Sequence, residues 1–109
     1  MALTIKEAFQ QALSAHKAGK SREAERLYRA ILRTVPSHTQ ANYYLGLLAA
    51  SANNNDFALT LFKTALEGSP ENEHFWVSYI NVLIKLEHFE LAKEAIKQAK
   101  KNGVNSDKT

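Results

Sequence analysis

The sequence predicts an all-α fold of three stacked helix–turn–helix units, and three observations carry that prediction. Columns of residues recur at a spacing of 34: Ala24, Ala58 and Ala92; Tyr28, Phe62 and Ile96; Ala12, Gly46 and Ile80; Ile31, Ala65 and Ala99; and the pair Pro36 and Pro70. Within each unit apolar residues step by three and four, the period of a helix buried along one side. Only two prolines and four glycines occur in 109 residues, and β-branched residues cluster too little to argue for strands. Two short amphipathic helices cannot bury their faces against each other alone, so each hairpin needs a copy beside it.

The elements follow in order. Thr4-Ile5-Lys6-Glu7 has the spacing of a capping box and opens a helix carrying Ala8, Ala12 and Ala15, which ends near Gly19. Ser21 is read as the next N-cap, starting a helix with Ala24, Leu27, Tyr28, Ile31 and Leu32 that Pro36 closes. Ser37-His38-Thr39-Gln40 reads as a second capping box before a helix through Tyr43, Leu45 and Gly46. Asn53-Asn54-Asn55 breaks the chain, and Ala58, Phe62, Ala65 and Leu66 carry the fourth helix to Ser69-Pro70. Glu71 and Glu73 place negative charge where a helix macrodipole favours it, ahead of a fifth helix through Trp76, Tyr79, Ile80, Leu83 and Leu86. A break near Glu87-His88 leads to a sixth helix, Phe89 to Lys101, with Gly103 as its C′ residue. One repeat domain therefore spans 1–104, with units at about 5–38, 39–72 and 73–104, and 105–109 is read as a flexible tail.

Composition excludes several functions. The chain has no cysteine, which rules out disulfides, thiolate metal sites and cysteine catalysis together. The N-terminus lacks a signal-peptide run, and no stretch reaches the roughly 18 apolar residues of a membrane span, so a cytoplasmic protein without membrane contact is expected. The net charge of +3 divides into +4 over residues 1–36, −4 over 37–92 and +3 over 93–109. Basic ends around an acidic middle do not make the continuous basic face of a nucleic-acid binder, so no nucleic-acid partner is expected. Gly-rich phosphate loops, His-Glu-x-x-His and Gly-x-Ser-x-Gly are absent, and His16, His38, His74 and His88 lack ligand spacing. No enzyme, cofactor or metal is expected.

A 34-residue helix–turn–helix period with Leu45, Gly46, Ala58, Phe62 and Pro70 in the central copy resembles the tetratricopeptide repeat (TPR). The first copy supplies Gly19, Ala24, Tyr28 and Pro36, and the third supplies Trp76, Phe89 and Ala92. The resemblance covers about residues 5–104, is of the type found in bacterial TPR proteins, and implies a right-handed α-solenoid of six antiparallel helices. Small residues at 12 and 46 would let paired helices approach closely, whereas Ile80 is large and should widen the third pair. Gln11 replaces an apolar residue, Val104 stands where a third proline belongs, and the array is expected either to continue further or to be capped by the polar helix 89–101.

The resemblance also implies a concave groove lined by the first helix of each unit. Stepping by three and four, that face would present Phe9, Leu13 and His16; then Tyr43 and Leu47; then His74, Val77, Asn81 and Lys85. Apolar at its centre and polar at its rim, it is expected to bind a protein or peptide partner through an apolar segment, as a scaffold or adaptor. Family members that clamp a terminal carboxylate use Lys, Asn and Arg, whereas the matching places here hold Phe9, Leu13, Tyr44, His74 and Ser78. A terminal carboxylate is thus not expected to select the ligand. Arg22, Arg26, Arg29 and Arg33 share one face, read as a solvated stripe with Glu25 pairing to Arg29. The alternative is a non-catalytic N-terminal region of a larger bacterial glycosyltransferase or sulfotransferase-like enzyme. Weak self-association through the third unit, with Leu86 and Leu91 exposed, is a further expectation.

Overall fold

The computed structural model describes residues 3–104, and among them there are six helices and no strand. They are α1 (Ile5–Lys17), α2 (Ser21–Thr34), α3 (Thr39–Ser51), α4 (Asn55–Gly68), α5 (Glu73–Lys85) and α6 (Phe89–Lys101). The tail read at 105–109 lies outside the described residues. Helices pair as α1–α2, α3–α4 and α5–α6, and the pairs stack through α2–α3 and α4–α5 into an elongated body of 46 × 26 × 26 Å.

The first helix of every unit is capped by a side chain at the same repeat position. Thr4 Oγ1 accepts from the Glu7 amide at 3.0 Å while Glu7 Oε1 accepts from the Thr4 amide at 2.9 Å, the reciprocal box expected there. In the second unit the cap is His38, whose Nδ1 accepts from the Ala41 amide at 3.0 Å, and not Ser37. In the third, Asn72 Oδ1 accepts from the Phe75 amide at 3.2 Å. These caps satisfy amides that the helix itself leaves without partners.

Ser21 is not a cap either. It is the first residue of α2, and Lys20 takes the cap position without a side-chain bond. The turn inside each unit explains this. Gly19, Asn53 and Glu87, spaced 34 apart, all have positive φ (79°, 61° and 62°). The next amide reaches back to the preceding helix: Lys20 to Ala15 O at 2.8 Å, Asn54 to Ala49 O at 2.8 Å, His88 to Leu83 O at 2.9 Å. This is a Schellman closure, and the residue that completes it already begins the next helix. No room remains for a separate cap.

The small-residue column is buried throughout, with Ala24 and Ala58 inaccessible and Ala92 nearly so. Gly46 lies flat on Phe62: a Cβ there would sit 2.5 Å from the ring. At the position of Gly46 the third unit has Ile80, and α5 and α6 pack less closely than the other two pairs. One apolar cluster runs through α1 to α4 and takes in Val82 of α5, a second fills α4 to α6, and Tyr43, Leu59 and Tyr79 pack against both.

A buried polar position joins successive units. Asn42, 4% exposed, donates from Nδ2 to Pro36 O at 3.0 Å and to His38 O at 2.9 Å. Trp76, 34 residues on, donates from Nε1 to Pro70 O at 2.6 Å. An amide and an indole thus do the same work, tying each inter-unit turn to the helix that follows it.

Candidate functional site

The residues placed on the concave face by helical phase do not form one uniform surface. At the N-terminal end the face is closed. Phe9 is 8% exposed, its ring packed against His38, Tyr44 and Tyr28 at centroid separations of 5.5, 5.9 and 6.2 Å. It forms the floor of this region and offers little surface itself. His16 lies beside it, with Nδ1 3.2 Å from the Tyr28 hydroxyl and its ring edge-on to Tyr44 at 5.9 Å. Burial holds the imidazole below its ordinary value. Tyr28, inaccessible to solvent, has its hydroxyl pushed up to about 12 by burial and then by Tyr44. Leu13 is half-buried against the same cluster.

The middle of the face is half-filled. Tyr43 packs on Phe75 at 4.5 Å and Phe62 at 5.6 Å, and its hydroxyl lies 3.2 Å from Ser78 Oγ. It both lines the face and bridges two units. Leu47, one turn on, is partly exposed. Tyr44 meets Tyr43 at 5.4 Å and stacks on Tyr28 at 6.1 Å, so both tyrosines belong to one aromatic network with no free ring for a base.

Towards α5 the face opens. His74, Val77, Asn81 and Lys85 are all exposed, Val77 by 49%, and Ile84, two turns beyond Val77, by 46%. Val77 and Asn81 also border a cavity of about 230 Å³ between α5 and α6, lined further by Trp76, Ile80, Ile96, Ala99 and Val104, with Glu73 and Lys100 at its margin. Ile96 stands in the 34-residue column of Tyr28 and Phe62. Tyr28 and Phe62 are buried, whereas Ile96, the third residue of that column, is 38% exposed and lines this cavity.

Elsewhere, Arg29 pairs with Glu25 at 2.8 Å and lies over the Phe57 ring at 5.1 Å, which occupies one member of the arginine stripe. Leu91 is 57% exposed, as expected, whereas Leu86 is partly buried against the first apolar cluster and not exposed. Among the described residues no three His, Asp or Glu side chains come together in a way that could hold a metal. No helix among them is long and apolar enough to cross a membrane.

The six-helix stack, its 34-residue turns and its small-residue column define a helical repeat protein. The family model of the tetratricopeptide repeat matches residues 9–73, and the chain belongs to that family. No curated protein matches the chain. Among solved structures, MamA from Desulfovibrio magneticus RS-1 superposes with a TM-score of 0.79 at 17% identity, covering 91% of this chain and 56% of that one. An O-GlcNAc transferase mutant from Thermobaculum terrenum gives 0.79 at 24% identity, covering 94% of this chain and 20% of that one. The TPR2B domain of yeast Sti1, in complex with pHsp70, gives 0.79 at 14% identity, covering 90% and 78%. The chain spans little more than half the length of the MamA chains it matches. At these identities the likeness is one of fold.

Proposed function

We propose that the chain is a non-catalytic protein-interaction module whose concave face receives an apolar peptide or helix. The observation that carries this reading is the pair Val77 and Ile84, large apolar residues on one face of α5 that remain about half exposed. Leu13, Tyr43 and Leu47 continue the apolar strip, while His16, His74, Asn81 and Lys85 supply polar register at its rim. Phe9 acts beneath the strip as support. The Sti1 neighbour was solved in complex with pHsp70, so the fold holds a protein partner in that case. The places of a carboxylate clamp lack cationic side chains other than His74, so the ligand is selected by apolar contact.

Affinity capture with the wild-type chain and with the surface variants Leu47→Asp and Val77→Asp tests the reading. A specific partner should be retained by wild type and lost from both variants while their melting curves stay intact. A partner held equally by all three would overturn it. The second reading, an interaction region attached to a glycosyltransferase-like enzyme, is favoured by the superposition on a fifth of the O-GlcNAc transferase chain. The length of the native reading frame decides between them.

A further inference from the structure

Four arginines share one face of α2. Arg22, Arg26, Arg29 and Arg33 are all exposed, and their steps of four, three and four keep them within about 60° of one another around the helix. Glu25 holds only Arg29, whose guanidinium also lies over the Phe57 ring. Among the described residues Arg22, Arg26 and Arg33 make no ion pair. Like charges at these steps repel on a helix surface. The repeat itself does not call for them: the same positions hold Asp56, Thr60, Lys63 and Glu67 in α4, and Glu90, Glu94, Lys97 and Lys101 in α6.

Arg29 and Arg33 also wall a groove between the first and second units. Two adjoining hollows, of about 260 and 90 Å³, share Arg29, Leu45 and Phe57. Leu32, Leu61 and Arg33 complete the larger one. Leu45 and Leu61 are buried, and Leu32 and Phe57 are half-buried. An apolar floor thus opens directly against a row of guanidinium groups. None of the concave-face residues Leu13, Tyr43, Leu47 and Val77 lines it.

We propose that this groove binds an acidic segment of another polypeptide. One large apolar side chain fills the hollow over Leu32, Phe57 and Leu61, and carboxylates meet Arg22, Arg26 and Arg33. Guanidinium groups suit carboxylates because each offers two parallel N–H donors. From Arg22 to Arg33 the helix rises about 16 Å, which an extended segment of about five residues spans. A longer polyanion fits poorly, since the equivalent positions along the array bring it to Asp56, Glu67, Glu90 and Glu94. Within the 109 residues no stretch supplies such a segment. Acids on α4 and α6 alternate with Lys63, Lys93 and Lys97, Glu71 and Glu73 flank the Asn72 cap of α5, and residues 105–109 hold one acid and no apolar side chain.

The probe is a labelled synthetic peptide of about eight residues, one Phe followed by a run of Glu, compared with the same peptide carrying Gln for Glu or Ala for Phe. Anisotropy should show either change weakening binding about tenfold, and raising salt from about 50 to about 300 mM should weaken the acidic peptide. Arg26→Glu with Arg33→Glu should abolish binding. Lys97→Glu with Lys101→Glu, the same charge change on α6, should leave it unchanged, as should Leu47→Asp on the concave face. Both arginines are exposed, so thermal melting should show their variant folded. Arg26→Gln with Arg33→Gln, expected to weaken binding about tenfold, is a second test should it not be. Equal binding of the Glu and Gln peptides overturns the proposal, as does full binding by the arginine variants or loss with Leu47→Asp. Three further outcomes overturn it by naming another occupant. Displacement of the peptide by an oligonucleotide of equal charge at equal concentration would assign the stripe to a nucleic acid. A dimer in sedimentation that Arg26→Glu with Arg33→Glu dissolves would assign it to a second copy. Exclusion of the peptide from a chain whose stripe arginines resist a dicarbonyl reagent would assign the groove to that chain's own residues.

Discussion

His16 and Tyr28 show how one buried contact turns into a pH dependence. Burial lowers the His16 imidazole below its ordinary 6.5. Stability from this site is complete above 6.5 and declines as pH falls from there through the lower folded value, because the unfolded chain binds the proton more readily. Urea unfolding between pH 7 and 5 should therefore show falling stability, and His16→Gln should flatten that slope. Tyr28 behaves in the opposite direction. Its hydroxyl is raised to about 12, so its contribution is intact below 10 and is lost as pH rises through 12. Asn42 is the other residue whose chemistry exceeds its appearance. Replacing it with Ala removes the donor to Pro36 O and His38 O and should cost about 1 kcal/mol in chemical denaturation, the ordinary worth of such hydrogen bonds.

Among the elements, the turns and the packed helix pairs set the geometry. Glu87 holds the left-handed conformation that Gly19 occupies without strain in the first unit. Glu87→Gly should raise stability by about 0.5–1 kcal/mol, the relief of strain exceeding the added freedom of the unfolded chain. Asn53→Gly should do less, because asparagine tolerates that conformation better. A shift in melting temperature of the wrong sign for Glu87→Gly would show that its side chain supports the turn in another way. Ala58 has no accessible surface, so Ala58→Leu should overpack the α3–α4 pair and cost about 1–3 kcal/mol, read from the denaturation midpoint. Gly46 lies against Phe62 with no space for a side chain, whereas Ile80 and Ile96 at the same repeat positions line a cavity.

Over the whole molecule, stability passes along the stack through few side chains. Tyr43 is wedged between Phe62 and Phe75 and contacts both apolar clusters. In a linear array each unit is held only by its neighbours, so the bridging residues decide whether the units melt together. Tyr43→Ala should lower global stability by about 3–5 kcal/mol. Hydrogen exchange should show protection falling first in α5 and α6, while α1 and α2 keep theirs. Uniform loss across all six helices would mean that the coupling is spread over the rest of the α4–α5 contact.

The sequence by itself determined the helix count, the 34-residue unit, the Thr4–Glu7 box and the identity of the core columns. All of these follow from local capping chemistry and from the period of burial, which any single helix displays along its own length. Helical phase also placed Phe9, Tyr43 and Val77 on equivalent faces, since equivalence needs only the spacing. Tertiary structure alone decided that these three differ, Phe9 covered, Tyr43 half-filled and Val77 open, because exposure depends on which side chains the neighbouring unit supplies. It likewise decided that Lys20 takes the cap position in place of Ser21, since the Schellman turn leaves one residue to end one helix and begin the next, and that His38 caps α3 in place of Ser37, its Nδ1 reaching the Ala41 amide. The matched donors of Asn42 and Trp76 escaped the sequence for a similar reason: an amide and an indole share no pattern, only a position from which each reaches the carbonyl of a proline.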